Sequence, residues 1–508
     1  MDRQKENSLT PRTWLLPILL LMLIAFGLRV YHLDFQSIWG DEALSIVRFK
    51  DMAVADLVTE YHAFSKDSGD SHPPLYYVLQ GVWRNALGDT VFAHRFLSVL
   101  FSVLAVPLLF LVGRELSSAR DGFAAALFCT FSAFHIWYAQ EARMYALTAF
   151  LCLVATLAFL RLMKGFHLPN AVLYVAGSLL LIYTHYFGLI LLMLQNLFFL
   201  FSRRKQLSYK KWFLLQGILF ILYLPWIPFL LQALFVKTAE AGLPRYFSPL
   251  FSLPFIFIKY SMFGNETYIR NHIFVYLLGG VVFALAFASG LVVSLRKQRP
   301  SLWFLLLFTF VPVFFVYLAP YLLSENVYSV HSLLMFTFFY YLIITRGAFN
   351  RGNSAGLFLF ILMVALNIHT LIQLNYGKDY QKPRMKETVA YIVEKNDRDA
   401  VTGKLPIKLP GAGSLSYYPF KYYAGDRIRE TPLTGETVDD ILEKIRTFER
   451  SADRFWLLVH EHVLAEKTNR GVVEGCKEHY PLLEVKRFDS RMRNSNLVLY
   501  CFSFGKEA

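Results

Sequence analysis

The stretch "WLLPILLLMLIAFGLRVYHLDFQSIWGDEALS", Trp14 to Ser45, joins an apolar run to a pair of adjacent carboxylates, Asp41 and Glu42. About twenty apolar residues are what the hydrocarbon core of a bilayer asks of a helix, so the first half of the stretch reads as a membrane span. The rest of the chain repeats that half. Of its 508 residues 56% are hydrophobic, 17% aromatic and only 17% charged, where a soluble domain carries about 25% charged residues. An ordinary soluble enzyme is thereby excluded, and the chain reads as a polytopic, mainly α-helical membrane protein. Its net charge of +14 calls for no nucleic-acid partner, because Lys and Arg collect in the cytoplasmic loops of membrane proteins.

Apolar runs near 14–31, 91–113, 122–139, 144–162, 171–187, 188–202, 213–236, 273–295, 302–322, 328–345 and 355–374 predict about eleven transmembrane helices. The first has no small-residue cleavage site behind it and is expected to stay as an anchor. Basic clusters around Arg12, Arg114, Arg161, Arg203, Arg296 and Arg346 fall at every second connection. The positive-inside rule then puts the N-terminus in the cytoplasm and the C-terminus on the external, or periplasmic, side of the cell membrane. On that external side lie the loop 32–90, the turns "YAQEARMY" (Tyr138 to Tyr145) and "YTHYFG" (Tyr183 to Gly188), the loop 237–272 and everything after about 375.

The tail is different in kind. Charge rises, helical patterns cover "PRMKETVAYIVEKND" (Pro383 to Asp397) and "GETVDDILEKIRTFERS" (Gly435 to Ser451), and "RFWLLVH", "PLLEVKRF" and "SNLVLYCFSF" read as strands. The expected division is a membrane domain, 1–374, that includes the external loop 32–90, and a small external α/β domain, 375–508. Cys476 and Cys501 are the only cysteines in a setting where a disulfide is plausible, since Cys129 and Cys152 sit in apolar runs.

The polar residues on the external side carry the chemistry. Asp41 and Glu42 follow Gly40 at a helix start, where acids are favoured by the dipole; beside Trp39 at the membrane surface, a carboxylate also suits proton abstraction from a hydroxyl. Side chains of neighbouring residues diverge along a helix, so one acid is expected to do chemistry and the other to orient. "SHPPLYYVLQGVW" (Ser71 to Trp83) reads as a helix opened by two prolines and re-entering the interface, with His72 a candidate metal or acceptor ligand. Glu141, Arg143 and Tyr145 in "QEARMY", with His185 and Tyr186 in "THYF", predict a polar pocket under the external surface, in which a guanidinium can grip a phosphate.

"WGDEALS", "HPPLYYVLQGVW", "HRFLSVL" (His94 to Leu100), "YAQEARMYAL" and "YTHYFGL", in this order and spacing, resemble the bacterial protein mannosyltransferase-like branch of the GT-C membrane glycosyltransferases. The resemblance is strong over about the first 200 residues and looser to the end, where "QKPRMKETVAYI" is similar to the family's post-membrane helix. It implies an enzyme that moves a sugar, a hexose or a pentose, from a polyprenyl-phosphate carrier to a hydroxyl of a glycan, lipid or protein acceptor. It assigns Asp41 as the base with Glu42 beside it, and Arg143 to the donor phosphate, joined by His185 or Arg95. Trp39, His72, Glu141, Tyr145, Tyr186 and His331 complete the expected pocket, and some relatives hold a divalent metal that Glu42 and His72 would bind here. The chain departs from the family in "YSVHSLLMF", which offers His331 where many relatives place an Arg; Lys259 or Arg245 would replace that cation. One base facing away from the leaving group implies inversion at the anomeric carbon. The competing class is a transporter or lipid flippase, which would place its ionisable groups near the midplane and show related halves. A scaffold would leave "DE" and "QEARMY" without work.

Overall fold

The computed structural model describes residues 12–47, 72–202, 205–235, 249–264, 266–296, 301–322, 330–346, 348–349, 353–377, 382–395, 401–404, 417–425, 427–433, 437–450, 452–461, 464, 467–490 and 496–505. The chain divides into two compact units: residues 1–33, 70–264 and 269–371 form the first, and residues 34–69, 265–268 and 372–508 the second. The boundary is drawn differently from the expected one near residue 374. The segment after the first span groups with the tail.

In the first unit each expected apolar run is helical: Arg12–Val30, Val91–Leu116, Ala119–Phe131 with Ala133–Ala139, Tyr145–Met163, Leu168–Ile182, Phe187–Phe201, Tyr209–Tyr223 continuing to Ile227–Phe235, Ile273–Arg296, Ser301–Leu322, Val330–Phe336 with Thr337–Ile344, and Ser354–Tyr376. Among the described residues seven helices are long and apolar enough to cross a membrane, or eight if the bent pair counts as one. The remaining apolar helices are shorter. Leu168–Ile182 and Phe187–Phe201 have 15 residues each, about 22 Å of helix at 1.5 Å per residue. The estimate of eleven therefore holds for apolar segments, while seven or eight have full spanning length.

Tyr145–Met163 is the centre of this unit. Its apolar window is 83% buried, against 22% for the first span, and it packs on Val91–Leu116 and Leu168–Ile182. A helix apolar on every side is what such a central place requires. Val91–Leu116 and Ala119–Phe131 cross closely because both supply glycine: a Cβ on Gly122 would lie 2.4 Å from the Phe110 carbonyl oxygen. Small residues permit such crossings where no hydrophobic force drives helices together.

The segment expected as one span over 122–139 is broken by 59° between Phe131 and Ala133. A break inside a membrane leaves backbone groups to be satisfied by side chains. Arg29, fully buried, donates to the carbonyls of Cys129 (3.2 Å) and Thr130 (3.3 Å) and through Nε to Ser102 Oγ (2.7 Å). On the other side of the break Ser132 Oγ accepts from the His135 amide, and Asn367 Oδ1 accepts from the Ala133 amide at 3.0 Å.

The loop expected to lie along the interface over 237–272 contains a helix, Pro249–Met262. Its Phe255, Ile256 and Tyr260 are buried, and it packs on Ile273–Arg296 and Ala133–Ala139. It belongs to the helix bundle. Arg245 falls outside the described residues.

The second unit contains a five-stranded sheet in the order β2-β1-β3-β5-β4, from β1 (Val401–Lys404), β2 (Arg429–Pro432), β3 (Arg454–His460), β4 (Leu482–Phe488) and β5 (Leu497–Ser503). β1 runs parallel to β2 and β3, whereas β5 is antiparallel to β3 and β4. Period-two alternation sends successive residues of a strand to opposite faces. Phe455, Leu457, Val459, Val498, Tyr500 and Phe502 meet helices Val438–Arg446 and Lys467–His479 on one face. Trp456, Leu458, Leu497, Leu499 and Cys501 meet helices Met385–Glu394 and Tyr417–Ala424 on the other. This is an α/β domain with helices on both sides, as the tail's composition predicts. It also corrects the cysteine expectation: Cys476 packs in the first of these cores and Cys501 in the second, so the sheet separates them and they are not joined by a disulfide.

Candidate functional site

Asp41 and Glu42 stand in the first turn of helix Gly40–Val47, in the second unit. Trp39 precedes the helix, and its backbone amide donates to Glu42 Oε2 at 3.4 Å. A carboxylate reaching back from the third helical position to the amide ahead of the helix is half of a capping box. The helix-start reading is therefore correct for Glu42, though incomplete. Glu42 is fully buried, and Lys382 Nζ lies 3.1 Å from the same oxygen. Lys382 is itself buried and sits over the Trp39 ring, 5.8 Å from its centroid. Asp41, one position earlier, is half-buried; the Ser45 hydroxyl donates to its backbone carbonyl.

The segment that carries the acids is fastened at four further points. The Lys382 amide donates to Gln36 Oε1 (3.2 Å), the Lys386 amide donates to Ser37 Oγ (3.1 Å), Ser37 Oγ donates to Glu387 Oε2 (3.5 Å), and the Ile38 amide donates to Tyr423 OH (2.8 Å). Helix Gly40–Val47 packs on helix Tyr417–Ala424. Residues from three parts of the tail thus hold the acid pair. Sequence reasoning missed Lys382 and Tyr423. A lysine next to a proline just past the last span is the only local signal that Lys382 offers.

The other expected residues lie in the first unit. "HPPLYY" opens helix Leu75–Leu87 directly after Pro74. Tyr76 and Tyr77 are fully buried, so the helix start that the prolines predict is packed into the bundle. The Leu75 amide donates to the Tyr183 carbonyl (3.1 Å), and the rings of His72 and His185 come to 5.2 Å. The proline motif and "YTHY" are thereby one structure. Arg143 is buried, with Nη1 3.5 Å from the Tyr77 hydroxyl, and Ser98 Oγ donates to its carbonyl at 3.3 Å. The Arg143 amide donates to the Glu141 carbonyl within the tight "QEARMY" turn (2.8 Å). Tyr145 packs on His331 at 4.7 Å between ring centroids, and Tyr138 on the same histidine at 6.1 Å. Arg143, His72 and Lys259 all reach His331 electrostatically. The structure thus gathers His72, Arg143, Tyr145, His185, His331 and Lys259 around one polar region. Buried Glu141 and half-buried Tyr186 stand on the two turns that build it.

Arg95 has a different setting. It is buried on Val91–Leu116 with Nη1 donating to the Leu33 carbonyl at 2.8 Å. Its neighbour His94 binds Asp89 (2.6 Å). "HRFLSVL" thus fastens the start of its helix and the exit of the first span. For a metal, the described residues contain no group of three His, Cys, Asp or Glu arranged to hold one. Glu42 is committed to an ammonium group, and a dication would have to displace it.

In the same helix bundle an apolar cavity of about 370 Å³ opens between Pro249–Met262, Ile273–Arg296, Ser301–Leu322 and Thr337–Ile344. Phe257, Met262, Phe283, Phe287, Phe310 and Tyr340 line it. Phe263, the next residue after that first helix, packs on Trp137 and Tyr138. An aromatic path therefore runs from the cavity to His331.

No family model matches the chain, and no curated protein does. Solved structures do. The archaeal oligosaccharyltransferase AglB of Archaeoglobus fulgidus, in complex with an inhibitory peptide and a dolichol-phosphate, superposes with a TM-score of 0.54 at 11% identity, over 98% of this chain and 75% of that one. The apo form of the Archaeoglobus fulgidus oligosaccharyltransferase gives 0.53 at 11% identity with the same coverage. ArnT of Cupriavidus metallidurans, in its apo state, gives 0.47 at 12% identity over 96% of this chain and 98% of that one. At such identities the likeness to the two Archaeoglobus structures concerns the fold, and at that level it agrees with the architecture that the sequence motifs imply.

Proposed function

We propose that this chain, which has the fold of the GT-C membrane glycosyltransferases, transfers a sugar from a polyprenyl-phosphate carrier to an acceptor hydroxyl at the outer face of the cell membrane. The observation that carries the reading is the buried Arg143, set among His72, His185, Tyr145 and His331, with an aromatic path through Tyr138 and Phe263 to an apolar cavity in the helix bundle. A buried guanidinium with histidine and tyrosine side chains around it suits a phosphate, and an apolar cavity linked to them through Phe263 and Tyr138 suits an isoprenoid tail. The dolichol-phosphate bound by the archaeal oligosaccharyltransferase of the same fold supports a lipid-phosphate ligand. The external placement rests on the distribution of Lys and Arg along the sequence.

In this reaction the acceptor oxygen attacks the anomeric carbon as its proton passes to the Asp41 carboxylate. The bond between the anomeric carbon and the phosphate oxygen breaks, and its electron pair stays on the phosphate. Arg143, with His185 beside it, meets the charge that develops there, which is the part of the barrier an enzyme lowers most by electrostatics. A single displacement inverts the anomeric centre. No step runs through a metal. Glycan, lipid and protein hydroxyls, and hexosyl or pentosyl donors, all satisfy this scheme.

The test incubates purified protein with a panel of polyprenyl-phosphate sugars and a crude envelope as acceptor, and follows release of polyprenyl phosphate. Turnover of one donor by the unchanged chain and its loss in Asp41→Asn, with donor binding retained, is the expected result. Retained anomeric configuration would overturn the single displacement. If no donor is consumed, the transporter reading takes its place.

A further inference from the structure

We infer that Lys382, in the segment leading from the last membrane helix to the tail domain, is the positioning residue for the acid pair: its ammonium anchors Glu42 and fixes the helix turn from which Asp41 is presented to the acceptor. The inference rests on the proposed glycosyl transfer for the role of Asp41, and on the geometry of the second unit for the rest.

Three observations meet on this lysine. It is buried, and so is the carboxylate it binds, at 3.1 Å. A charge this far from water is retained only where a partner compensates it, and removing one partner strands the other. The oxygen that takes the ammonium also takes the Trp39 amide, so the same contact that neutralises Glu42 fixes the first turn of helix Gly40–Val47. Lys382 also ties its own amide to Gln36, gripping the segment ahead of the acids as well as the second acid. A carboxylate held in this way is a poor proton acceptor for a substrate. Asp41, on the same turn, diverging from Glu42 and half-buried, is the acid to which the proposed transfer assigns that work, and the anchored turn sets where its carboxylate stands. The tail is thus part of the catalytic apparatus whether or not it touches the acceptor.

The experiment compares the unchanged chain with Lys382→Met, Lys382→Arg, Glu42→Gln and the Lys382→Met/Glu42→Gln double variant, in the full-length protein. Two readouts are taken: kcat and KM with whichever polyprenyl-phosphate sugar of the panel is consumed, and hydrogen exchange of the peptide covering residues 36–47. Lys382→Met is expected to lower kcat about 10²-fold, the loss typical of a small misplacement of a reacting group, with KM for the donor changed by no more than about 2-fold. Lys382→Arg, which keeps the charge, recovers most of that loss. The double variant is no slower than the slower single variant, because the two residues act as one unit. Exchange of residues 36–47 rises in Lys382→Met while strands β3 and β5 keep their protection. Unchanged kcat and unchanged exchange in Lys382→Met would overturn the inference, as would losses that multiply in the double variant. If the unchanged chain consumes no donor, exchange decides the anchor by itself: a rise confined to residues 36–47 keeps the anchor while the glycosyl reading falls, and no rise sinks the anchor too.

Discussion

Arg29→Met probes how a broken membrane helix is held together. Arg29 ends the first span fully buried and makes three hydrogen bonds beyond its own helix, to Ser102 Oγ and to the carbonyls of Cys129 and Thr130. In water each stranded acceptor would cost about 1–3 kcal/mol. In a bilayer the unfolded reference also finds partners, and measured values centre nearer 0.6 kcal/mol per bond with a maximum of about 1.7. Three bonds then give roughly 2–3 kcal/mol. Relief of a desolvated charge works in the opposite direction, but the two carbonyls stay buried at a helix end whichever residue replaces arginine. At about 1–2 °C per kcal/mol in a chain of this size, the apparent Tm should fall by about 2–6 °C. The protein brings its own probe. Its four cysteines are all buried, so a fluorogenic maleimide in detergent reports unfolding without engineered sites. Arg29→Lys should fall nearly as far, since one ammonium cannot span the three acceptors. A Tm for Arg29→Met within about 1 °C of the unchanged chain would refute the argument and show that water or a local rearrangement satisfies the helix end.

Arg143→Gln should lower turnover by about 10²–10³-fold with the protein still folded, the usual cost of removing one donor to developing charge; retention of activity in this variant would shift the phosphate role to Lys259 or His331. Burial pushes the Cys476 thiol up from 9.0 to about 12, so the folded protein should resist iodoacetamide at pH 8 at this position, as read by mass spectrometry. The folded state keeps that proton where the unfolded state has lost it. The thiol's contribution to stability is therefore complete below about pH 9 and declines as pH rises toward 12. A titration of the tail's melting temperature in Cys476→Ala should be flatter over that window. Gly122→Ala forces a Cβ to within 2.4 Å of a backbone oxygen, whereas Gly81→Ala has nothing within 4 Å. The first should destabilise by about 1–3 kcal/mol and the second should be neutral or slightly stabilising, both measured with the same maleimide assay.

What the sequence reveals depends on how local the cause is. Apolar runs announce their helices because lipid leaves a backbone no other choice, and strands β3, β4 and β5 stand out by their β-branched and aromatic runs. β1 and β2 are four residues each, too short for alternation to register, and parallel pairing puts their partners far along the chain. The break at Ser132 is equally silent, because Arg29 and Asn367, which make it tolerable, lie about a hundred residues or more away on either side. Within the candidate site, the turns that carry Arg143 and His185 are legible as polar residues at helix entries. The settings of Arg95 and Glu42 are not. Nothing near Arg95 says that it will donate to Leu33, and nothing near Glu42 says that a lysine will arrive to claim it.

The distance along the chain between that lysine and its acid has a consequence in time. Glu42 and Lys382 are 340 positions apart, and ribosomes add roughly 5–20 residues per second. For about 20–70 s after the first loop has been made, the carboxylate pair exists without the ammonium, the tyrosine and the helices that seat it. A chain interrupted anywhere before residue 382 lacks the anchor altogether. Fastening the first loop with the last quarter of the chain makes assembly of the acid pair a late event, so the protein acquires its working geometry only when synthesis is nearly complete.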